Sequence, residues 1–123
     1  MFLKKCYLDK SPIHGIGLFA GEDIKMGQNI WLPSHQLTFH FNDSELKTLP
    51  SQEIRIVKHY GYLHKKTNIW HFCSEDSRYI NHSENPNTYL TPENTDGFMA
   101  KKDIKKDEEL TQDYRDFEEL RDF

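Results

Sequence analysis

The sequence predicts a β-rich α+β fold built as a single domain over residues 1–123. Three observations carry that expectation. Short β-prone runs, separated by Gly, Pro, Asn and Asp, recur along almost the whole chain. Clear helical signals are confined to one insert, about residues 43–60. An internal echo relates Phe19-Ala20-Gly21-Glu22-Asp23-Ile24-Lys25-Met26-Gly27-Gln28-Asn29-Ile30 to Met99-Ala100-Lys101-Lys102-Asp103-Ile104-Lys105-Lys106-Asp107-Glu108-Glu109-Leu110. Each copy reads as a strand end, a polar stretch with one buried Ile, a turn and a second strand. The echo is architecture: two similar corners in one fold.

In chain order, Phe2 to Leu8 is β-prone, with Lys4 and Lys5 interrupting, and is assigned a first strand. Ser11-Pro12-Ile13-His14-Gly15-Ile16-Gly17 is a tight connection whose glycines permit positive φ or close backbone approach. It is not a dinucleotide fingerprint, because no third glycine follows and no helix opens there. Gly27 gives the first corner left-handed freedom, and Asp107 takes the same place in the second. Ile30-Trp31-Leu32 and Leu37 to Phe41 are strands, interrupted by Pro33. Asn42 and Glu45 form a capping box for a short helix, and Pro50 stops it. Ser51 is expected to cap a second helix carrying Ile54, Val57 and Tyr60. Tyr60 to Leu63 and Ile69 to Cys73 form a hairpin around a turn at Lys65 to Asn68. Thr88-Tyr89-Leu90 and Gly97 to Ala100 flank a turn at Pro92 to Asp96, and Glu109 to Tyr114 is the last strand. The tail, about 115–123, spaces Phe117, Leu120 and Phe123 as a docked helix would.

Composition narrows the function classes. Eight Phe, six Tyr and two Trp mark a globular core rather than a disordered chain. A net charge of −4 argues against direct nucleic-acid binding. Most of the excess acid lies in Asp107 to Phe123, a solvated surface with a mild attraction for Lys-bearing substrates. Cys6 and Cys73 are too few and too distant for a zinc motif or disulfide framework. Structural thiols in a reducing compartment follow. The start, Met1-Phe2-Leu3-Lys4-Lys5, lacks the apolar run of a signal peptide, and no segment is long and apolar enough to span a membrane. The expectation is a soluble intracellular protein, cytoplasmic with the nucleus also open. His59, His64 and His71 lie near one another, but their spacing matches no zinc signature, so no metal is assigned.

The stretch Ser77-Arg78-Tyr79-Ile80-Asn81-His82-Ser83-Glu84-Asn85-Pro86-Asn87 sets an amide, an imidazole and a hydroxyl beside apolar Tyr79 and Ile80. Pro86 pushes Asn85 out of the helical region, so the segment reads as a polar turn against the core.

Three ordered motifs span nearly the whole chain: His14-Gly15-Ile16-Gly17-Leu18-Phe19-Ala20; Arg78-Tyr79-Ile80-Asn81-His82-Ser83 with Pro86-Asn87; and Glu108-Glu109-Leu110-Thr111-Gln112-Asp113-Tyr114. Together they resemble the SET-domain family of protein lysine methyltransferases, in its small single-domain form. The resemblance implies a SET fold (β-clip) of several short curved sheets, with the C-terminal strand threaded through a loop as a pseudoknot. It implies S-adenosyl-L-methionine as cofactor, met by backbone at His14, Gly15, Ile16 and Gly17 and by Asn81 and His82, with Arg78 bracing the loop or the cofactor. Tyr114 is then the catalytic tyrosine. The substrate is a lysine-bearing protein or peptide whose neutral amine takes the methyl group. Tyr60, Tyr62, Trp70 and Tyr89 are candidate walls of an apolar lysine channel. Three positions depart from the family pattern. Gln112 stands where an aromatic lines the channel, Pro33 where an aromatic follows the second strand, and Asp107 where a glycine turns the chain. The tail lacks a Cys-rich zinc module, so Phe117, Phe123 or a second subunit in a homodimer is expected to close the channel. The departures leave a second possibility, a non-catalytic SET-like module that binds a partner or the cofactor.

Overall fold

The computed structural model describes residues 1–90 and 97–116. The expected turn at Pro92 to Asp96 and the Phe117 to Phe123 part of the tail lie outside the described residues. Three small sheets organise the chain. Strands β1 (Cys6–Lys10) and β2 (Ile16–Ala20) form an antiparallel hairpin. The first strand begins later than expected, and Phe2 makes only an isolated bridge to Trp31. Strands β3 (Asn29–Trp31) and β4 (Thr38–Phe41) then enter separate sheets.

The insert follows. Helix α1 (Asp43–Lys47) carries the reciprocal cap the sequence implies: Glu45 N–H donates to Asn42 Oδ1 at 2.8 Å, and Asn42 N–H to Glu45 Oε1 at 3.1 Å. Helix α2 (Ser51–Tyr60) corrects one expectation, since Ser51 is the first helical residue and Pro50 stands at the cap position. The Pro50 carbonyl accepts from Glu53 and Ile54 N–H at 2.9 and 3.0 Å, and proline's fixed φ suits the entry to a helix. Each helix buries one residue against the sheets, Leu46 and Val57.

Beyond the insert come β5 (Tyr62–Leu63), β6 (Trp70–Cys73), a 3-10 turn over Asp76–Tyr79, and β7 (Asn81–His82). Then follow β8 (Thr88–Leu90), β9 (Phe98–Ala100), β10 (Glu109–Gln112) and a second 3-10 turn over Tyr114–Asp116. The sheet orders are β1-β2-β10-β7, β3-β9-β8 and β4-β6-β5. This is the β-rich α+β architecture that the residue pattern implies.

Two local corrections concern the site. Asn81 and His82 are not in a turn; they form β7, parallel to β10, with Asn81 opposite Thr111 and His82 opposite Gln112. The last strand ends at Gln112, before Tyr114, because the chain tightens there into the 3-10 turn. On one side β10 pairs with β2. On the other it is held by the chain from Asn81 to Thr88. Thr111 N–H donates to Asn87 Oδ1 at 2.9 Å, Asn87 Nδ2 to Glu109 O at 2.8 Å, and Ser83 N–H to Gln112 O at 2.8 Å.

The internal echo becomes a clasp. Ile24 and Ile104 exchange backbone hydrogen bonds at 2.8 and 2.7 Å. Met26 N–H donates to Asp103 and Lys106 N–H to Asp23, at 2.9 and 2.8 Å. Gly27 N–H donates to Ala100 O, and Asp107 N–H to Ala20 O. Gly27 and Asp107 both have positive φ, +86° and +74°. Ile24 and Ile104 are both fully buried in one cluster with Leu18, Ile30, Ile80, Phe98 and Leu110. Among the described residues no helix is long and apolar enough to cross a membrane.

Candidate active site

The β10–β7 pairing brings the second and third motifs side by side, and the 11–15 turn brings the first beneath them. Asn81 is buried and its Nδ2 faces three acceptors: Ser11 Oγ at 3.1 Å, His14 O at 3.1 Å and Glu109 Oε2 at 2.9 Å. A carboxylate and a backbone carbonyl only accept, so the amide orientation is set by the network itself. Its Oδ1 accepts no hydrogen bond among the described residues.

His82 Nδ1 accepts from Tyr114 N–H at 3.1 Å and lies 3.8 Å from Asp113 Oδ1. The bond from Tyr114 N–H requires Nδ1 to be unprotonated, which leaves the proton of a neutral ring on Nε2. The Asp113 carboxyl is held below its usual range chiefly by hydrogen bonding from Arg115, whose Nε and Nη2 donate to its two oxygens at 2.8 and 2.6 Å. The Tyr114 ring packs on His82 at 5.2 Å, and its hydroxyl donates to Ile80 O. Tyr114 is therefore anchored at both its amide and its phenol, by residues flanking Asn81.

The Tyr114 ring is one wall of an open cavity of about 110 Å³. Tyr60, Tyr62, Trp31, Phe98 and Arg78 make up much of the remainder, with Gln112 among the lining residues. The aromatic rings give it apolar walls, and Gln112, Arg78, Ser77, His59 and His71 add polar groups to them. Arg78 lies over the Tyr60 and Tyr79 rings, 4.9 Å from each centroid, and its Nη2 donates to the Tyr79 hydroxyl at 3.0 Å. Its Nε is buried and has no partner among the described residues. Cys73 also borders the cavity, but burial pushes its thiol up, so it is no thiolate nucleophile near neutral pH. Burial, then Glu22, pushes the Cys6 thiol up to about 12.

Of the residues assigned from sequence, Arg78 and Tyr114 line the cavity; Asn81 and His82 do not, but His82 holds the Tyr114 amide and Asn81 holds the His14 carbonyl beside it. The positive φ of Gly15, +47°, permits the turn, and a side chain there would meet open space. Ile16, which opens β2 after that turn, is half exposed. Gly17 is different: a Cβ would stand 2.4 Å from Glu109 Oε2 and 3.0 Å from Ser11 Cβ. The structure gives that glycine an internal reason, room for Glu109. Tyr60 and Tyr62 line the cavity, whereas Trp70 and Tyr89 do not. Trp31 and Phe98, stacked at 5.6 Å, were read as strand residues only. Ser11 and Glu109 were also missed, since neither carries a signal until the fold sets them against Asn81. His59 and His71 line the cavity and His64 packs 5.2 Å from His71, but among the described residues no three His, Cys, Asp or Glu side chains are placed to hold a metal.

Comparison with known proteins adds the family. The SET-domain family model matches residues 15–115. A search of curated proteins finds no match. Among solved structures, the chain is similar to a Plasmodium falciparum candidate histone methyltransferase, with a TM-score of 0.63 and 26% identity, over 90% of this chain and 93% of that one. It is also similar to a chain of Chaetomium thermophilum Polycomb Repressive Complex 2 bound to GSK126, with a TM-score of 0.65 and 29% identity, over 93% of this chain and 16% of that one. An autoinhibited form of that complex, bound to S-adenosylmethionine, gives a TM-score of 0.64 and 28% identity over the same shares. The chain thus spans nearly all of the first relative and about a sixth of the second.

Proposed function

This chain belongs to the SET-domain family, and from that premise we propose that residues 1–123 form one catalytic domain, an S-adenosylmethionine-dependent methyltransferase acting on the ε-amine of a protein lysine. The observation that carries this reading is the anchoring of Tyr114 in the wall of an aromatic cavity, by Ile80 and His82, the two residues on either side of Asn81.

The residues present suit the cofactor. The Arg78 Nε–H is buried with no partner among the described residues, and the hydrogen bonds of the Asn81 side chain all run through Nδ2, which leaves Oδ1 to accept. At Gly15 the backbone faces open space. Asn81, His82, Arg78 and the His14 to Gly17 backbone would hold the cofactor, which supplies an electrophilic methyl group, so that no protein nucleophile is needed. The chain's own task is to present a neutral amine. Free lysine titrates near ~10.4. Rings of Trp31, Tyr60, Tyr62, Phe98 and Tyr114 desolvate the amine. The permanently charged Arg78 guanidinium disfavours a second cation beside it. Tyr114, restrained at amide and hydroxyl, is placed to orient the reacting amine. Gln112 is almost fully buried in this wall and would offer the amine a neutral hydrogen-bonding side chain where the family pattern has an aromatic.

Incubating the purified chain with labelled cofactor and a panel of basic proteins should place label on lysine. The same polar Gln112 favours one second reading, a module that binds cofactor or a partner without transfer. Tight cofactor binding with no label on any substrate would select it. Asn81→Ala gives a narrower check: a folded variant with undiminished cofactor affinity would remove Asn81 from the site.

A further inference from the structure

Resting on the cofactor site proposed above, we infer that Ser11 and Glu109 are positioning residues that hold the 11–15 turn and the Asn81 amide in their cofactor-receiving arrangement. Glu109 lies at the start of β10, and Ser11 opens the turn after β1. The Ser11 hydroxyl meets both carboxylate oxygens of Glu109 at 2.8 Å. A carboxylate has no proton to offer, so the single hydroxyl proton points to it. The oxygen lone pairs of Ser11 are left for donors, and three are in place: Ile13 N–H at 3.0 Å, His14 N–H at 3.4 Å and Asn81 Nδ2 at 3.1 Å.

One charge thus sets a chain of directions. Glu109 orients Ser11, and Ser11 receives the amides of the turn. The two Asn81 amide protons are shared among three acceptors, Ser11 Oγ, Glu109 Oε2 and the His14 carbonyl. Asn81 Oδ1 is thereby turned outward, away from three acceptors. The arrangement also needs Gly17, because a side chain there would occupy the carboxylate's place. Ser11 is itself buried, and Ser11 N–H donates to Gly15 O at 2.8 Å, so the turn closes over the network.

This role differs from contact with the cofactor and from general stability, and the test separates the three. Ser11→Ala removes one hydroxyl. Glu109→Gln keeps shape but presents an NH₂ where an acceptor is required. Both full-length variants are compared with the native chain by amide hydrogen exchange at Ile13 and His14, by calorimetric titration with S-adenosylmethionine, and by kinetics with varied cofactor. The expected result is exchange at these amides at least about tenfold faster, cofactor Kd and KM raised about tenfold or more, and kcat at saturating cofactor changed by less than about threefold. Faster exchange with native Kd would mean that the network is structural only and would overturn the inference. Should Glu109→Gln fail to fold, Ser11→Ala alone carries the test. No cofactor binding by the native chain would overturn the functional reading and the inference with it; native binding with unchanged variants overturns the inference alone.

Discussion

The clasp at Ile24 and Ile104 and the site at Asn81 and Tyr114 use similar polar side chains to opposite ends. In the clasp, Asp23 and Asp103 each receive a backbone N–H from the other corner, and the buried isoleucines exchange both of their backbone bonds. Each copy meets its own image, so its needs are met inside the chain. At the cavity one account stays open: the buried Arg78 Nε has no partner among the described residues. Buried polar groups normally find partners, so one left unmet at an open cavity is available to a group from outside. The contrast teaches that an internal repeat in this fold marks structure, and function sits where the pattern is not repeated.

That contrast can be broken in order of effect. The largest change is expected from Tyr114→Phe. It should lower methyl transfer by about a hundredfold or more while leaving cofactor affinity within a few-fold, measured by label incorporation and titration. A comparable loss of cofactor affinity would move Tyr114 from orienting the amine to building the cofactor bed. In the clasp the loss should fall on stability. Ile104→Ala should cost about 2–5 kcal/mol in denaturant unfolding, because Ile104 is fully buried against Ile24. Normal stability in that variant would mean the corners do not hold each other. A smaller effect follows from backbone alone: Gly27→Ala forces a side chain into a +86° φ and should cost about 1–2 kcal/mol.

The smallest effect concerns Asp113, whose carboxyl is held down mainly by the Arg115 hydrogen bond. A depressed carboxyl stabilises the fold above its ordinary value of 3.8 and loses that contribution as pH falls through the folded value. Arg115→Ala should therefore differ only slightly from the native chain near neutrality. The gap in unfolding free energy should close as pH drops below the ordinary carboxylate value. A gap that widened in acid would show that Arg115 acts on some other group.

Much of the fold was legible because local signals and tertiary outcome agree. The Asn42–Glu45 capping box, the hairpin around Lys65 to Asn68 and the turn within each corner rest on interactions within a few residues. The left-handed turn at Asp107 was legible from its echo with Gly27. Failures occur where a distant partner outranks local chemistry. Asn81-His82-Ser83 has the composition of a turn, yet pairing with Thr111 and Gln112, about thirty residues away, makes Asn81 and His82 a strand. Ser51 has the chemistry of a cap, but Pro50 already presents the carbonyl the helix needs.

For the proposed site, the sequence by itself supplied the candidate side chains, Arg78, Asn81, His82 and Tyr114, in motifs whose order resembles that of the family. Only the tertiary structure decided that Trp31 and Phe98 join Tyr60 and Tyr62 around one cavity, and that Trp70 and Tyr89 stay outside it. It also decided that Gly17 makes room for Glu109, and that Glu109 and Ser11 aim Asn81. The reason is physical. A residue type states which bonds a side chain can make, whereas the partner that takes them lies up to 98 positions away and is set by strand register.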